Sequence, residues 1–200
     1  MVSIVGIMLS SMITLGSVLA QDGNFTSPTL QSITYGGSGC PQGSMKFSVP
    51  INSTRYIVAF GGYAASIGAG APLAESRKNC QINLKLDYPV GYQYAVAGNT
   101  YSGYASLDAG VSAVHKSIYY FSGYEQQSST QMNFTGPYNA AYAAEDSVLD
   151  ETSWSPCGTR ALLNINNQVR MTRESNSTGS GTLYDSGLFD VSLMWRTCAE

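Results

Sequence analysis

The feature that most constrains this chain is an unbroken alternation from Cys80 to Asp87. Cys80, Ile82, Leu84 and Leu86 are apolar, and Gln81, Asn83, Lys85 and Asp87 are polar. Successive side chains of an extended chain point to opposite faces, so this period fits a half-buried strand and does not fit a helix. Tyr88-Pro89-Val90-Gly91 supplies turn chemistry, and Tyr92, Tyr94 and Val96 begin a second strand. Gly98-Asn99 reads as another turn, into a third strand with Tyr101, Gly103, Ala105 and Leu107 on one face. Residues 77–108 therefore predict a β-meander with one face sealed into a core.

The same period recurs elsewhere. Met45, Phe47 and Val49 alternate before Pro50, and Tyr56, Val58 and Phe60 after Asn52, which predicts a hairpin. Leu30 and Ile33 mark a first strand, and residues 61–73 read as a small-residue loop whose glycines do not form a nucleotide-binding fingerprint. A long extended segment follows at 111–121, then a strand around Met132. Residues 138–150 fit a short helix or a strand equally. Leu163, Ile165, Val169 and Met171 predict a strand with a bulge at Asn166-Asn167, Trp154 is placed to shield a disulfide at Cys157, and Phe189, Val191, Leu193 and Trp195 predict a last strand locked by Cys198. Eight to ten short strands separated by turn signals indicate an all-β, two-sheet antiparallel β-sandwich, jelly-roll-like or Greek key.

Composition agrees. With 21 Gly, 14 Tyr and 12% charged residues in 200, a helical bundle and a disordered chain are both disfavoured. A formal net charge of -3 offers no basic patch for nucleic acid or anionic lipid, so neither is expected as a partner. The first 20 residues are an uncharged apolar run ending Val18-Leu19-Ala20, which predicts a signal peptide over 1–20 and one secreted, extracellular domain over 21–200, a monomer with no membrane contact after cleavage.

Four cysteines in a secreted chain predict two disulfides. Pairing Cys40 with Cys80 and Cys157 with Cys198 closes two loops of about forty residues, each worth roughly 3 to 4 kcal/mol of chain entropy. A zinc site is disfavoured, since His115 is the one histidine and no two cysteines have C-x-x-C spacing. Asn24, Asn52, Asn133 and Asn176 each head an N-x-[ST] sequon and are candidate glycosylation sites.

Taken together, Cys40-Pro-Gln-Gly-Ser44, Arg77-Lys-Asn-Cys-Gln81, Tyr88-Pro89, Ser102-Gly-Tyr-Ala105, Tyr119-Tyr-Phe-Ser-Gly123, Trp154-Ser-Pro-Cys-Gly158 and Trp195-Arg196 with Cys198 resemble a family of small secreted four-cysteine proteins of filamentous fungi, known as a domain of unknown function. The resemblance covers nearly all of the chain beyond the leader. It implies secretion, two disulfides and a β-rich domain, and it carries no assigned activity.

For chemistry, a Ser-His-Asp hydrolase would have to use His115 with Asp108 or Asp87, and no G-x-S-x-G elbow frames a serine. A histidine held by strand packing is the preferred reading. Glycoside hydrolysis needs two facing carboxylates, and Asp87, Asp108, Glu145, Asp146, Asp150, Glu151, Asp185 and Asp190 are the candidates. Glu145-Asp146 and Asp150-Glu151 could also offer oxygens to calcium, but the EF-hand pattern is missing. No catalytic, cofactor or metal residues are assigned. The preferred function is a non-catalytic binding protein of the cell wall or host interface with carbohydrate as ligand, using a face built from Gln81, Asn83, Lys85, Tyr92, Gln93, Tyr94, Tyr101 and Tyr104. A secreted effector that binds a host protein is the first alternative, and a glycan hydrolase the second.

Overall fold

The computed structural model describes residues 27–50, 54–148 and 152–199. The leader, Asn24, Asn52, Asp150 and Glu151 lie outside the described residues. Eleven strands are present among them: β1 (Thr29–Gly36), β2 (Met45–Ser48), β3 (Arg55–Phe60), β4 (Tyr63–Ile67), β5 (Arg77–Asp87), β6 (Tyr92–Leu107), β7 (Val111–Phe121), β8 (Gln127–Thr135), β9 (Tyr138–Ser147), β10 (Leu163–Arg173) and β11 (Gly181–Thr197). One 3-10 turn, Leu73–Ser76, precedes β5.

All pairings are antiparallel. A five-stranded sheet runs β1-β5-β10-β7-β8, and a six-stranded sheet runs β2-β3-β11-β6-β9 with β4 also on β11. The two pack face to face as a β-sandwich, as the alternation requires. Ile82, Leu84 and Leu86 of β5 are each at most 1% exposed, which places the apolar half of the constraining stretch in the core. Each such side chain contributes about 2 kcal/mol of apolar burial. At one end of the sandwich Tyr94 packs on Phe121 and Trp195 at centroid distances of 5.2 and 4.9 Å, and Tyr88 closes the cluster.

Both predicted disulfides form. Cys40–Cys80 ties the β1–β2 loop to β5, with Cα atoms 5.3 Å apart and both residues fully buried. Cys157–Cys198 fastens the end of β11, with Cα atoms 5.8 Å apart.

The meander is a correction. β5 belongs to one sheet and β6 to the other, so residues 88–91 cross between sheets instead of closing a hairpin. Alternation tells which side of a strand is buried, not which sheet holds it. Nor is Gly98-Asn99 a turn, because β6 continues through it. A Cβ on Gly98 would lie 2.1 Å from the Asp146 carbonyl oxygen, so glycine is there for the close approach of β9, and Asn99 points inward to Ser117. Residues 61–73 contain strand β4 in place of a plain loop, and of the two readings open for 138–150 the strand is the one that forms, as β9. β10 pairs without a register shift on either side, so there is no bulge at Asn166-Asn167. Asn167 simply takes an inward position in the series Leu163, Ile165, Asn167, Val169, Met171 and is fully buried. Trp154 lies under the Arg196 guanidinium, 3.8 Å from ring centroid to carbon.

Candidate functional site

Three places gather polar side chains. The first is inside. His115 of β7 is fully buried, its Nε2 3.1 Å from Asn167 Oδ1 and 3.6 Å from Asp185 Oδ2, and its ring lies 4.0 Å from that of Tyr101. Asn167 and Asn99 both donate to Ser117 Oγ, and Tyr63 donates to the Asn167 carbonyl at 2.9 Å. Nε2 faces an acceptor and therefore carries the proton of the neutral ring. Nδ1 is buried without a partner among the described residues, so a second proton there would find no acceptor. Burial lowers the His115 pKa from 6.5 to about 4, against the smaller opposite pull of Asn167. Burial likewise raises the phenol pKa values of Tyr63, Tyr101 and Tyr119. No substrate reaches a group with zero exposure, so the cluster is a hydrogen-bonded core and not a triad. Asp87 pairs instead with Arg160 at 2.7 Å, and Asp108 accepts from the Ser180 amide at 2.8 Å. The carboxylate beside His115 is Asp185, legible in hindsight as a charged residue on the inward side of β11.

The second place is a cleft of about 600 Å³ on the outer face of the six-stranded sheet. Arg55, Thr100, Glu145 and Asp190 line it, and an adjoining hollow adds Ile57, Ala143 and Leu188. Asp190 pairs with Thr100, which pairs with Glu145, so two of the candidate carboxylates stand two strands apart, about 10 Å. Arg55 grips Asp190 with both Nε and a terminal nitrogen, which occupies both carboxylate oxygens.

The third is the outer face of the five-stranded sheet. Register places its outward side chains in rows across the strands. Thr34, Asn83, Asn164, Tyr120 and Gln127 form one row. Gln81, Asn166, Ile118 and Ser129 form the next, and Asn79, Gln168, Lys116 and Gln131 the one after. The amides are tied to one another: Gln81 Nε2 donates to Asn83 Oδ1 at 3.1 Å and to Asn164 Oδ1 at 3.4 Å, and Asn166 Nδ2 donates to Gln81 Oε1 at 3.0 Å. Asn83 Nδ2 donates to Thr34 Oγ1 at 3.2 Å. These side chains stand on strands whose opposite faces are locked in the core.

The eight residues predicted as one ligand face do not share one. Gln81, Asn83 and Lys85 point out of the five-stranded sheet. Tyr94 and Tyr101 are buried in the core, Tyr92 packs against it, and Gln93 is 8% exposed. Tyr104 is exposed, but on the outside of the other sheet, opposite Tyr184 and hydrogen-bonded to Asn139. Sequence reasoning missed Asn164, Asn166 and Gln168. Their even spacing was visible, but their place beside β5 was not.

Residues 26–198 match the family described as a domain of unknown function, DUF4360, and the chain belongs to that family. An uncharacterized secreted protein of Arthroderma benhamiae is 44% identical over 173 residues, covering 84% of this chain and 71% of the relative. Secretion agrees with two formed disulfides, and among the described residues no helix is long and apolar enough to cross a membrane. Among solved structures, the carbohydrate-binding module TmCBM61, in complex with β-1,4-galactotriose, superposes with a TM-score of 0.30 at 13% identity over 83% of this chain and 90% of that one. A CBM4 module gives 0.27 at 12% over 81% and 86%. Superpositions this loose carry no argument about ligand or site.

Proposed function

We propose that this secreted DUF4360 protein is a non-catalytic carbohydrate-binding β-sandwich whose site is the outer face of the five-stranded sheet. The observation that carries the reading is the amide lattice of Gln81, Asn83 and Asn166, hydrogen-bonded side to side on two adjacent strands and backed by Asn164, which is itself buried. Amides present both donors and acceptors, as sugar hydroxyls require. Held in place before binding, they lose little freedom when a ligand arrives, and that loss is a main cost of association. Five strands about 4.8 Å apart make a face about 19 Å wide, more than one sugar ring can cover. Tyr120 and Ile118 supply the apolar surface against which a ring can lie.

Two sequons bear on the same surface. Asn133 is exposed at the β8 edge of this sheet and Asn176 is exposed in the loop after β10, and we take both as glycosylated in the secreted protein. Register places Asn133 in the row of Val114, Arg170 and Arg77, two strands from Arg170.

The test incubates purified secreted protein with a panel of insoluble and soluble polysaccharides and scores both retention and released sugar. Retention without release, weakened when Asn83 and Asn166 are both replaced by Ala, is the expected result. Released sugar would instead favour a hydrolase, and the Glu145–Asp190 cleft is where its carboxylates would be sought. No retention on any polysaccharide would end the carbohydrate reading and favour a protein partner.

A further inference from the structure

The chain's net charge conceals a segregation. The five strands of this sheet hold six of the ten Lys and Arg residues, Arg77, Lys78, Lys85, Lys116, Arg170 and Arg173, and one of the thirteen Asp and Glu residues, Asp87. That one is paired with Arg160. Lys78 is paired with Glu75 and, like Arg173, falls on the alternation of the buried side chains, so the cations of the outer face are Arg77, Lys85, Lys116 and Arg170.

Two of these cations stand directly opposite each other. Arg77 and Arg170 are cross-strand partners on β5 and β10, both exposed. Neither guanidinium makes an ion pair or side-chain hydrogen bond among the described residues. Like charges directly opposite in an antiparallel pair destabilise it. A sheet that keeps such a pair bare is poorer for it unless something anionic lies between the two forks. They open into a hollow of about 370 Å³ that Leu73, Arg173 and the carboxylate Glu174 also line. Lys116 stands beyond Gln168 in the next row.

Resting on the carbohydrate reading above, we infer that the ligand is an anionic polysaccharide whose acid groups are sugar carboxylates, a polyuronate, with Arg77 and Arg170 taking a carboxylate and the Gln81–Asn166 amides taking hydroxyls further along the same chain. A guanidinium fork matches a carboxylate in shape and makes two parallel charge-assisted bonds to it. Arg77 and Gln81 lie four residues apart on one strand, about 13 Å, so a single sugar cannot touch both. A nucleic acid fits less well, because most of the face is neutral amide, which suits a hydroxyl-rich ligand, and few cations are available to follow a run of phosphates.

The probe is polygalacturonate, compared with its fully methyl-esterified form and with a neutral galactan, by calorimetry on the full secreted chain. The acid form should bind at least about tenfold tighter than the ester, and Arg77→Gln and Arg170→Gln should each cost about tenfold on the acid form and nothing on the ester. Both variants should keep or raise the unfolding midpoint, since each removes a like-charge contact. Equal binding of acid and ester, or variants that bind the acid form as the parent does, overturns the polyuronate inference and leaves the carbohydrate reading standing. Binding dextran sulfate or DNA as tightly as polygalacturonate also overturns it, as does a lowered midpoint in both variants. Retention of no glycan at all removes the carbohydrate reading together with the inference.

Discussion

Replacing His115 by Gln should flatten the acid limb of this protein's stability. The folded imidazole titrates at about 4 and the unfolded one at its ordinary 6.5. At about 1.4 kcal/mol for each pH unit, that gap is worth about 3.5 kcal/mol, of which about 3 is lost by pH 4. The sign follows from proton counting. Between the two values the unfolded chain holds a proton that the folded protein does not, so acid favours unfolding. Stability from this group is complete above pH 6.5, is lost as pH falls toward 4, and changes no further below that. The groups facing His115 are Asp185 on β11, Asn167 on β10 and Tyr101 on β6. All are shared by parent and variant, so their own titration cancels to first order in the difference. A Gln side chain can keep a donor toward Asn167. The assay is urea unfolding of both proteins at half-unit steps from pH 3.5 to 7.5. The stability advantage of the parent should shrink by about 3 kcal/mol from pH 7 to pH 4. A difference that stays constant with pH to within about 0.5 kcal/mol would refute a neutral, buried His115.

Other outcomes follow from single contacts. Tyr94 has a buried hydroxyl without a partner among the described residues, whereas Tyr63 donates to the Asn167 carbonyl at 2.9 Å. Chemical denaturation should therefore find Tyr94→Phe neutral or stabilising and Tyr63→Phe destabilising by about 1–2 kcal/mol. A Cβ on Gly103 would lie 2.0 Å from the Tyr184 carbonyl oxygen and 2.5 Å from the Tyr142 hydroxyl, so Gly103→Ala should cost about 3 kcal/mol by the same measurement. Cys40 and Cys80 are fully buried while Cys157 is exposed, so partial reduction with alkylation and mass spectrometry should label Cys157 and Cys198 first. Labelling of Cys40 ahead of Cys157 would contradict the packing described.

Much of the architecture was legible because alternation reports burial locally. β5, β7 and the β2–β3 hairpin stand where the period put them, and the cysteine spacings of 40 and 41 residues correspond to real bridges. What failed was long-range. Nothing in Tyr88-Pro89-Val90-Gly91 distinguishes a hairpin from a crossover, so the pattern alone puts Tyr92 to Tyr104 in the sheet of Gln81. Inward polar residues misled in the same way. Asn167 looked like a bulge and Gly98-Asn99 like a turn, because a buried amide or a glycine breaks the apolar pattern without breaking the strand. The amide lattice and the opposed arginines needed β5 and β10 side by side, and those strands are separated by four others in sequence.

The central claim is the location of the site, and the most direct measurement is a heteronuclear NMR titration of the secreted protein with an oligogalacturonate. The side-chain amide signals of Gln81, Asn83, Asn164 and Asn166 should move and saturate together with the backbone amides of Arg77 and Arg170, while Tyr104, Tyr184 and the Arg55–Glu145 cleft stay still. Shifts confined to that cleft, or to the outer face of the six-stranded sheet, would contradict the account.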